Sequence, residues 1–396
     1  MSTHQRTLGA ALVLALAAGL AGGATTGGAA ATAATAATAE AGRTPGATRL
    51  QEILDRLTTV DGGPGALLDV RDRRGGTVLT SGVADVRSGR PVHPESRFRI
   101  GSATKMFTAT VLLQLVGEGR VDLDAKVERH LPGVVRGHGN DGRRVTVRQL
   151  LQHTAGLADF LDHLKPQEIV RDPLAHRDAR DLVETALAHP PVFEPGTGWD
   201  YSNTGYLLIG MIIEEVTGHP YGDEIRRRVV RPLRLRETSV PGESPDIPRP
   251  HPRGYAHTGE NAPLLDITRI NPAVGGAAGE VVSSGGDMNR FLAALLDGRL
   301  LHPAQLREMT TTRPTGGTDG RAYGLGLESK PLPCGGRYWG HTGDFLGFET
   351  ASGATAGGRQ ATVMVNAGPG GSDAQSDDIG AALETALCQG RPRTSR

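Results

Sequence analysis

Strand-like runs lie near both ends of this chain and enclose a long helical middle, and that arrangement limits the folds open to it. Gly65 to Val70 and Thr77 to Asp85 read as two strands joined by a turn around Asp72 to Gly76. Tyr323 to Glu328, Tyr338 to His341, Phe345 to Ser352 and Gln360 to Asn366 are four more β-rich runs. Elsewhere the apolar period is helical: Thr48 to Val60, Ser102 to Gly117, Val147 to Gln152, Ala179 to His189, Gly205 to Thr217, Asp287 to Leu296 and Ile379 to Cys388. Gly218 and Pro220 stop the fifth of these. Strands at both ends with helices between them imply an α/β fold, an antiparallel β-sheet flanked by helices with an inserted helical subdomain. Residues 46–117 and 275–390 form the two parts of the α/β subdomain in this reading, and 118–274 the helical one. There is no internal repeat.

Charge narrows the partners. The chain carries 43 basic and 43 acidic residues in 396. No electrostatic footprint for nucleic acid and no polybasic membrane patch follows from that balance. Residues 1–39 read as an export signal: Arg6 is a short basic start, and Leu8 to Leu20 is apolar but short for a bilayer span. Ala37-Thr38-Ala39 is a plausible cleavage site, and a retained anchor is the rival reading. A secreted, extracellular protein with no stable membrane anchor after signal cleavage is expected. The two cysteines, Cys334 and Cys388, are most simply a disulfide in an exported protein, with two buried free thiols as the alternative. Thirteen histidines include no His-Glu-x-x-His and no clustered Cys/His spacing, so no metal and no cofactor are expected.

Chemistry enters at Ser102-Ala103-Thr104-Lys105, just before the apolar stretch Met106 to Val116. A serine and a lysine three apart at a helix start share one face. The hydroxyl can then be a nucleophile with an amine at hand to manage its proton. The helix start adds unpaired N–H groups that favour the negative charge of acyl transfer. The chain has only four lysines, Lys105, Lys126, Lys165 and Lys330, which makes this one less accidental. Alone, the pattern also fits a capping serine with an exposed lysine one turn on.

Two further segments change that balance. Tyr201-Ser202-Asn203 follows a turn-rich approach, and His341-Thr342-Gly343 follows the aromatic run Tyr338-Trp339-Gly340. In order and rough spacing the three segments resemble the serine penicillin-recognising hydrolases. The tyrosine is similar to the branch holding class C β-lactamases, secreted D-alanyl-D-alanine carboxypeptidases and related esterases. The histidine is more similar to carboxypeptidases and esterases than to true class C β-lactamases, which usually carry lysine there. Leu150 to Leu157, and Ala278-Gly279 leading to Asp287-Met288-Asn289-Arg290-Phe291, agree with it. The resemblance runs from about Arg56 to Cys388 and implies a β-lactamase/transpeptidase-like fold. It implies a serine hydrolase that forms an acyl-enzyme, first of all D-alanyl-D-alanine carboxypeptidase-like on cell-wall peptides. Esterase or β-lactamase activity is the alternative within the family, and a non-catalytic penicillin- or peptide-binding relative the alternative outside it. A peptide or small-molecule acyl substrate, β-lactams as covalent ligands and a monomer are the expected partners and state.

The resemblance also distributes roles. Ser102 is the nucleophile, and Lys105 and Tyr201 share the proton work, with either as the base. Asn203 bonds the substrate amide or Lys105. His341 bonds Tyr201 or shapes the local field, and as a histidine is mostly neutral near pH 7. Thr342 presents its hydroxyl to the substrate, Gly343 leaves room for close approach, and the N–H groups of Asp344 and Ser102 form an oxyanion hole. Pro241 to His257 is a proline-rich loop expected against the site. His153 is expected to be a structural histidine with no link to the nucleophile. Strand alternation puts Thr342 and Asp344 on one face, so Asp344 should repel a substrate carboxylate unless Lys330 pairs with it.

Overall fold

The computed structural model describes residues 45–259 and 262–389; the export-signal segment 1–39 lies outside them. Helix α1 (Pro45–Thr59) leads into strands β1 (Gly65–Asp72), β2 (Gly75–Asp85) and β3 (Arg90–Pro91). Helix α2 (Thr104–Gly117), α3 (Asn203–Thr217) and α4 (Gly285–Leu296) follow, with short helices and loops between them. The chain then returns as β4 (Arg313–Pro314), β5 (Ala322–Tyr323), β6 (Glu328–Pro331), β7 (Arg337–Phe345), β8 (Phe348–Thr355) and β9 (Gln360–Val365), and ends in α5 (Asp373–Cys388).

The nine strands form one sheet in the order β4-β5-β6-β7-β8-β9-β1-β2-β3, antiparallel throughout. The last strand, β9, pairs with the first, β1, from Ala66 opposite Val365 to Arg71 opposite Gln360. That seam joins the two chain ends across the inserted middle, as the distribution of strands along the sequence implies. Both faces of the sheet are covered. Leu50, Leu54 and Leu57 of α1 and Ile379, Leu383 and Leu387 of α5 pack on one. The other meets α4 and, beyond it, α2, where the Phe107 and Phe291 rings stack at 3.9 Å. Helix α2 is buried on nearly every side, which fits a chain segment apolar all round.

Several expected boundaries move, for local reasons. Helix α3 begins at Asn203 rather than Gly205, which brings Asn203 into its first turn. Gly218, at φ +73°, ends it as expected. The run Tyr323 to Glu328 is two strands separated by a turn, in which Gly326 (φ +79°) lies against Ala109 of α2. The run from Phe345 is split by the tight β7–β8 turn at Gly347, φ +94°. Helix α5 starts six residues earlier than its apolar period suggests, because Asp373 to Asp378 is polar but still helical. Cys334 and Cys388 form a disulfide that ties the end of α5 to the turn before β7.

Candidate active site

Ser102 does not cap α2. It sits in a single 3₁₀ turn, Gly101–Ala103, that runs directly into the helix. Gly101 has φ +51°, and a Cβ there would lie 2.5 Å from the Asp344 carbonyl oxygen. A Cβ at Gly343 would lie 1.9 Å from the carbonyl oxygen of Ile100. Only glycines at these two positions allow β7 to run against the serine turn. The backbone of Asp344 is thereby held beside Ser102, where the two N–H groups can serve one oxyanion.

One helical turn past Ser102, Lys105 is fully buried. Its Nζ has three hydrogen-bond partners: Ser102 Oγ at 3.1 Å, Asn203 Oδ1 at 2.7 Å and the Ala278 carbonyl at 2.9 Å. It also lies over the Tyr201 ring, 4.8 Å from the centroid, and 5.4 Å from that of Tyr206. Burial pushes the Lys105 ammonium down to about 7, against the pull of the Asp159, Glu328 and Asp344 carboxyls.

Tyr201 ends the loop before α3, packed on the other side of Ser102. Its buried hydroxyl has no hydrogen-bond partner of good geometry. Burial pushes the phenol well above 10, and the nearby Ser102 hydroxyl works in the other direction. The phenol proton is therefore present and uncommitted at neutral pH. Ser102, Tyr201, Thr342 and Asp344 each keep a small part of their surface exposed, although the Tyr201 hydroxyl and the Asp344 carboxyl are themselves desolvated, whereas Lys105, Asn203 and His341 are buried. The first group can meet a substrate, and the second can act only through it.

The structure brings together every residue of the three motifs, with two changes in their contacts. His341 does not bond Tyr201. Its Nε2 accepts from the Tyr323 hydroxyl at 2.8 Å and its Nδ1 donates to the Thr342 carbonyl at 2.5 Å, while the Tyr201 ring is 6.2 Å away. Burial lowers its pKa, partly offset by Glu328, so the imidazole is neutral in this tautomer. Lys330 does not neutralise Asp344 either. It pairs with Glu384 at 3.0 Å and Asp319 at 3.8 Å. Burial, helped by Glu349 and Glu328 and opposed by Lys105, instead pushes the Asp344 carboxyl up to about 8.

Three residues outside the motifs contribute. His153, expected to be a structural histidine with no link to the nucleophile, touches Tyr201 instead: its ring lies 4.3 Å from that of Tyr201 and its Nδ1 accepts from the Ser202 N–H at 3.2 Å. It is buried and held well below 6.5 by desolvation, so it is a neutral platform under the tyrosine. Tyr323, at the start of a run legible as β-rich but in none of the three motifs, orients His341 from the two-residue strand β5. Asp159 accepts from both the backbone N–H and the side-chain amide of Asn203. Its place, two residues past Leu157 in the Leu150 to Leu157 signature, was the available hint. Among the described residues no group of three or more His, Cys, Asp or Glu is placed to hold a metal.

The family model described as Beta-lactamase matches residues 50–386. The chain belongs to that family. In structure it is similar to a D-stereospecific amidohydrolase from Streptomyces sp., 41% identical, covering 85% of this chain and 98% of that one with a TM-score of 0.79. It is also similar to the D-amino acid amidase from Ochrobactrum anthropi SV3, 31% identical, covering 87% and 99% with a TM-score of 0.73. Penicillin-binding protein 4 of Amycolatopsis lactamdurans is 33% identical over 62% of this chain. The aligned stretch is 63% of that protein's length and 62% of a second penicillin-binding relative's, from Bacillus subtilis, so the chain spans about three fifths of these curated relatives. The β-lactamase/transpeptidase-like fold is what the family model and the structural neighbours agree on.

Proposed function

We propose that this protein is an exported serine hydrolase that cleaves amide or ester bonds through an acyl-enzyme on Ser102. The observation that carries the reading is the 3.1 Å contact of Lys105 Nζ with Ser102 Oγ, in a site where burial brings the amine near neutral pH. Ser102 Oγ attacks the substrate carbonyl carbon and its proton passes to Lys105. The oxyanion lies between the N–H groups of Ser102 and Asp344. The bond to the leaving group breaks, the Tyr201 phenol protonates the departing nitrogen or oxygen, and the Lys105 proton restores the phenol. Water then repeats the sequence on the acyl-enzyme and frees Ser102.

The substrate is the finer part of this reading. Asp344 lies two residues from Thr342 on β7 and forms no ion pair among the described residues, so once ionised, above about pH 8, it favours amides and esters over peptides ending in a free carboxylate. The likeness to D-stereospecific amidohydrolase and D-amino acid amidase supports D-configured acyl groups. A D-alanyl-D-alanine carboxypeptidase-like activity is the second reading, supported by the penicillin-binding relatives and the Tyr-Ser-Asn and His-Thr-Gly motifs. Penicillins are then expected to acylate Ser102 as well. The test is covalent labelling by a fluorophosphonate and a fluorescent penicillin, with turnover of a D-phenylalanine anilide, a short-chain ester and a D-Ala-D-Ala peptide. Labelling and turnover that Ser102→Ala abolishes support the reading; turnover that survives in Ser102→Ala ends it.

A further inference from the structure

Lys105 Nζ touches three oxygens, and the identity of each decides where its lone pair points. A neutral amine has two N–H bonds and one lone pair. Asn203 Oδ1 and the Ala278 carbonyl can only accept, so they take the two N–H bonds. The lone pair is left for the third partner, the Ser102 hydroxyl, which is where a base must aim it. This orientation depends on which end of the Asn203 amide faces Lys105. The two ends are nearly the same shape, and turned the other way the amide nitrogen would donate into the lone pair and take it from Ser102.

Asp159 removes that freedom. Its Oδ2 accepts from Asn203 Nδ2 at 2.7 Å and from the Asn203 backbone N–H at 3.2 Å. Burial pushes the Asp159 carboxyl up to about 6, against its hydrogen bonds to Leu161 and Asn203, so above that pH it is a carboxylate that can only accept, and Nδ2 is held toward Asp159 and Oδ1 toward Lys105. We infer that Asp159 is a positioning residue for acylation, which aims the Lys105 lone pair at Ser102 by fixing the Asn203 amide. The inference rests on the assignment of Ser102 and Lys105 above. A purely structural role is the competing account, because Asp159 Oδ1 also accepts from Leu161 N–H at 3.1 Å and caps the turn Phe160–His163.

Asp159→Asn separates the two. Asparagine caps as well as aspartate, so the turn is kept. Its amide nitrogen, however, takes the place of Oδ2, favours the turned Asn203 amide and gives up the 3.2 Å bond from the Asn203 backbone N–H. The groups facing Lys105 are the carboxyls of Asp159, Glu328 and Asp344, the imidazoles of His153 and His341, and the phenols of Tyr201 and Tyr206. Only the first changes in the variant, and its lost charge no longer favours the ammonium.

The experiment measures the rate of Ser102 labelling by a fluorophosphonate against pH in the full chain, with melting temperature recorded beside it. Asp159→Asn is expected to slow labelling on the order of 10²-fold, the scale of general-base effects, with its acid limb moved to lower pH and its melting temperature close to wild type. The exchange Asp159→Asn with Asn203→Asp restores an acceptor toward Lys105 and a donor–acceptor pair behind it. It is expected to recover tenfold or more of the rate, with the acid limb moved to higher pH. Asp159→Ser keeps a capping oxygen without a fixed partner for the amide, and should also label slowly. Wild-type rates and limbs in Asp159→Asn and Asp159→Ser overturn the inference and leave the acyl-enzyme reading standing. An exchange variant no faster than Asp159→Asn also overturns it. A wild-type protein that neither probe labels removes the acyl-enzyme reading itself, and this inference with it.

Discussion

Lys105→Arg distinguishes the two candidate bases, because it keeps the positive charge and removes the ability to lose a proton. Burial holds the Lys105 ammonium near 7. About half of the protein therefore carries a free amine at pH 7, against roughly one in 2,500 for an ordinary lysine. The buried site thus makes the base some 10³-fold more available than a solvated lysine would be. Arginine stays protonated throughout the accessible range and has no lone pair to offer. If Lys105 is the base, acylation by the arginine variant should fall 10²- to 10⁴-fold, the span of general-base effects. The limb of the wild-type kcat/KM profile that rises through about pH 7 should vanish with it. If Tyr201 is the base, a cation kept beside its ring preserves the phenolate and the variant stays active. The assay is kcat/KM for a chromogenic D-aminoacyl anilide between pH 5 and about 9, in wild type, Lys105→Arg and Lys105→Met. Circular dichroism and melting temperature check that the larger side chain is accommodated, and Lys105→Met, which fits the cavity, should lose activity equally. An active arginine variant beside a dead methionine variant would falsify the assignment and transfer the base role to Tyr201.

Two further outcomes are expected. Asp344 is protonated below about pH 8 and ionised above it, so wild-type preference for the amide of a D-Ala-D-Ala peptide over its free acid should widen from pH 7 to about 9, and Asp344→Thr should raise relative kcat/KM for the free acid; an unchanged ratio, or a wild type strongly favouring the free acid, sinks the specificity argument. The Cys334–Cys388 bridge closes a 54-residue separation, for which chain entropy gives about 4 kcal/mol; the double alanine variant should melt roughly 5 °C lower for a chain of this size, and two thiols alkylated without reductant in the wild type would show that the bridge is not formed.

The sequence by itself determined the class of the fold and the three motifs. Strand runs at the two ends can bury their apolar faces only by meeting, and they do so along the β9–β1 seam. Ser102 and Lys105 were legible because three-residue spacing on a helix start places them on one face whatever surrounds them. The Tyr201 and Asn203 pair and the His341 to Asp344 strand were legible as motifs, through resemblance rather than through any local rule. The disulfide followed from there being two cysteines and an apparent export signal.

Only the tertiary structure decided how those motifs touch. The partner of His341 is Tyr323 rather than Tyr201, because β5, separated from β7 only by β6, brings a phenol to it. His153 is a platform under Tyr201 because the loop after residues 147–151 folds beneath the start of α3. Lys330 is out of reach of Asp344 because the β6–β7 register sets it opposite Tyr338, at the other end of β7, where it pairs with Glu384 of α5. The protonation states belong to the same category. A lysine near 7 and a carboxyl near 8 arise from desolvation and from charges that come from separate elements, and neither is a property of sequence spacing. Local pattern can name the reacting groups, but burial, which depends on the whole fold, sets which of them holds a proton.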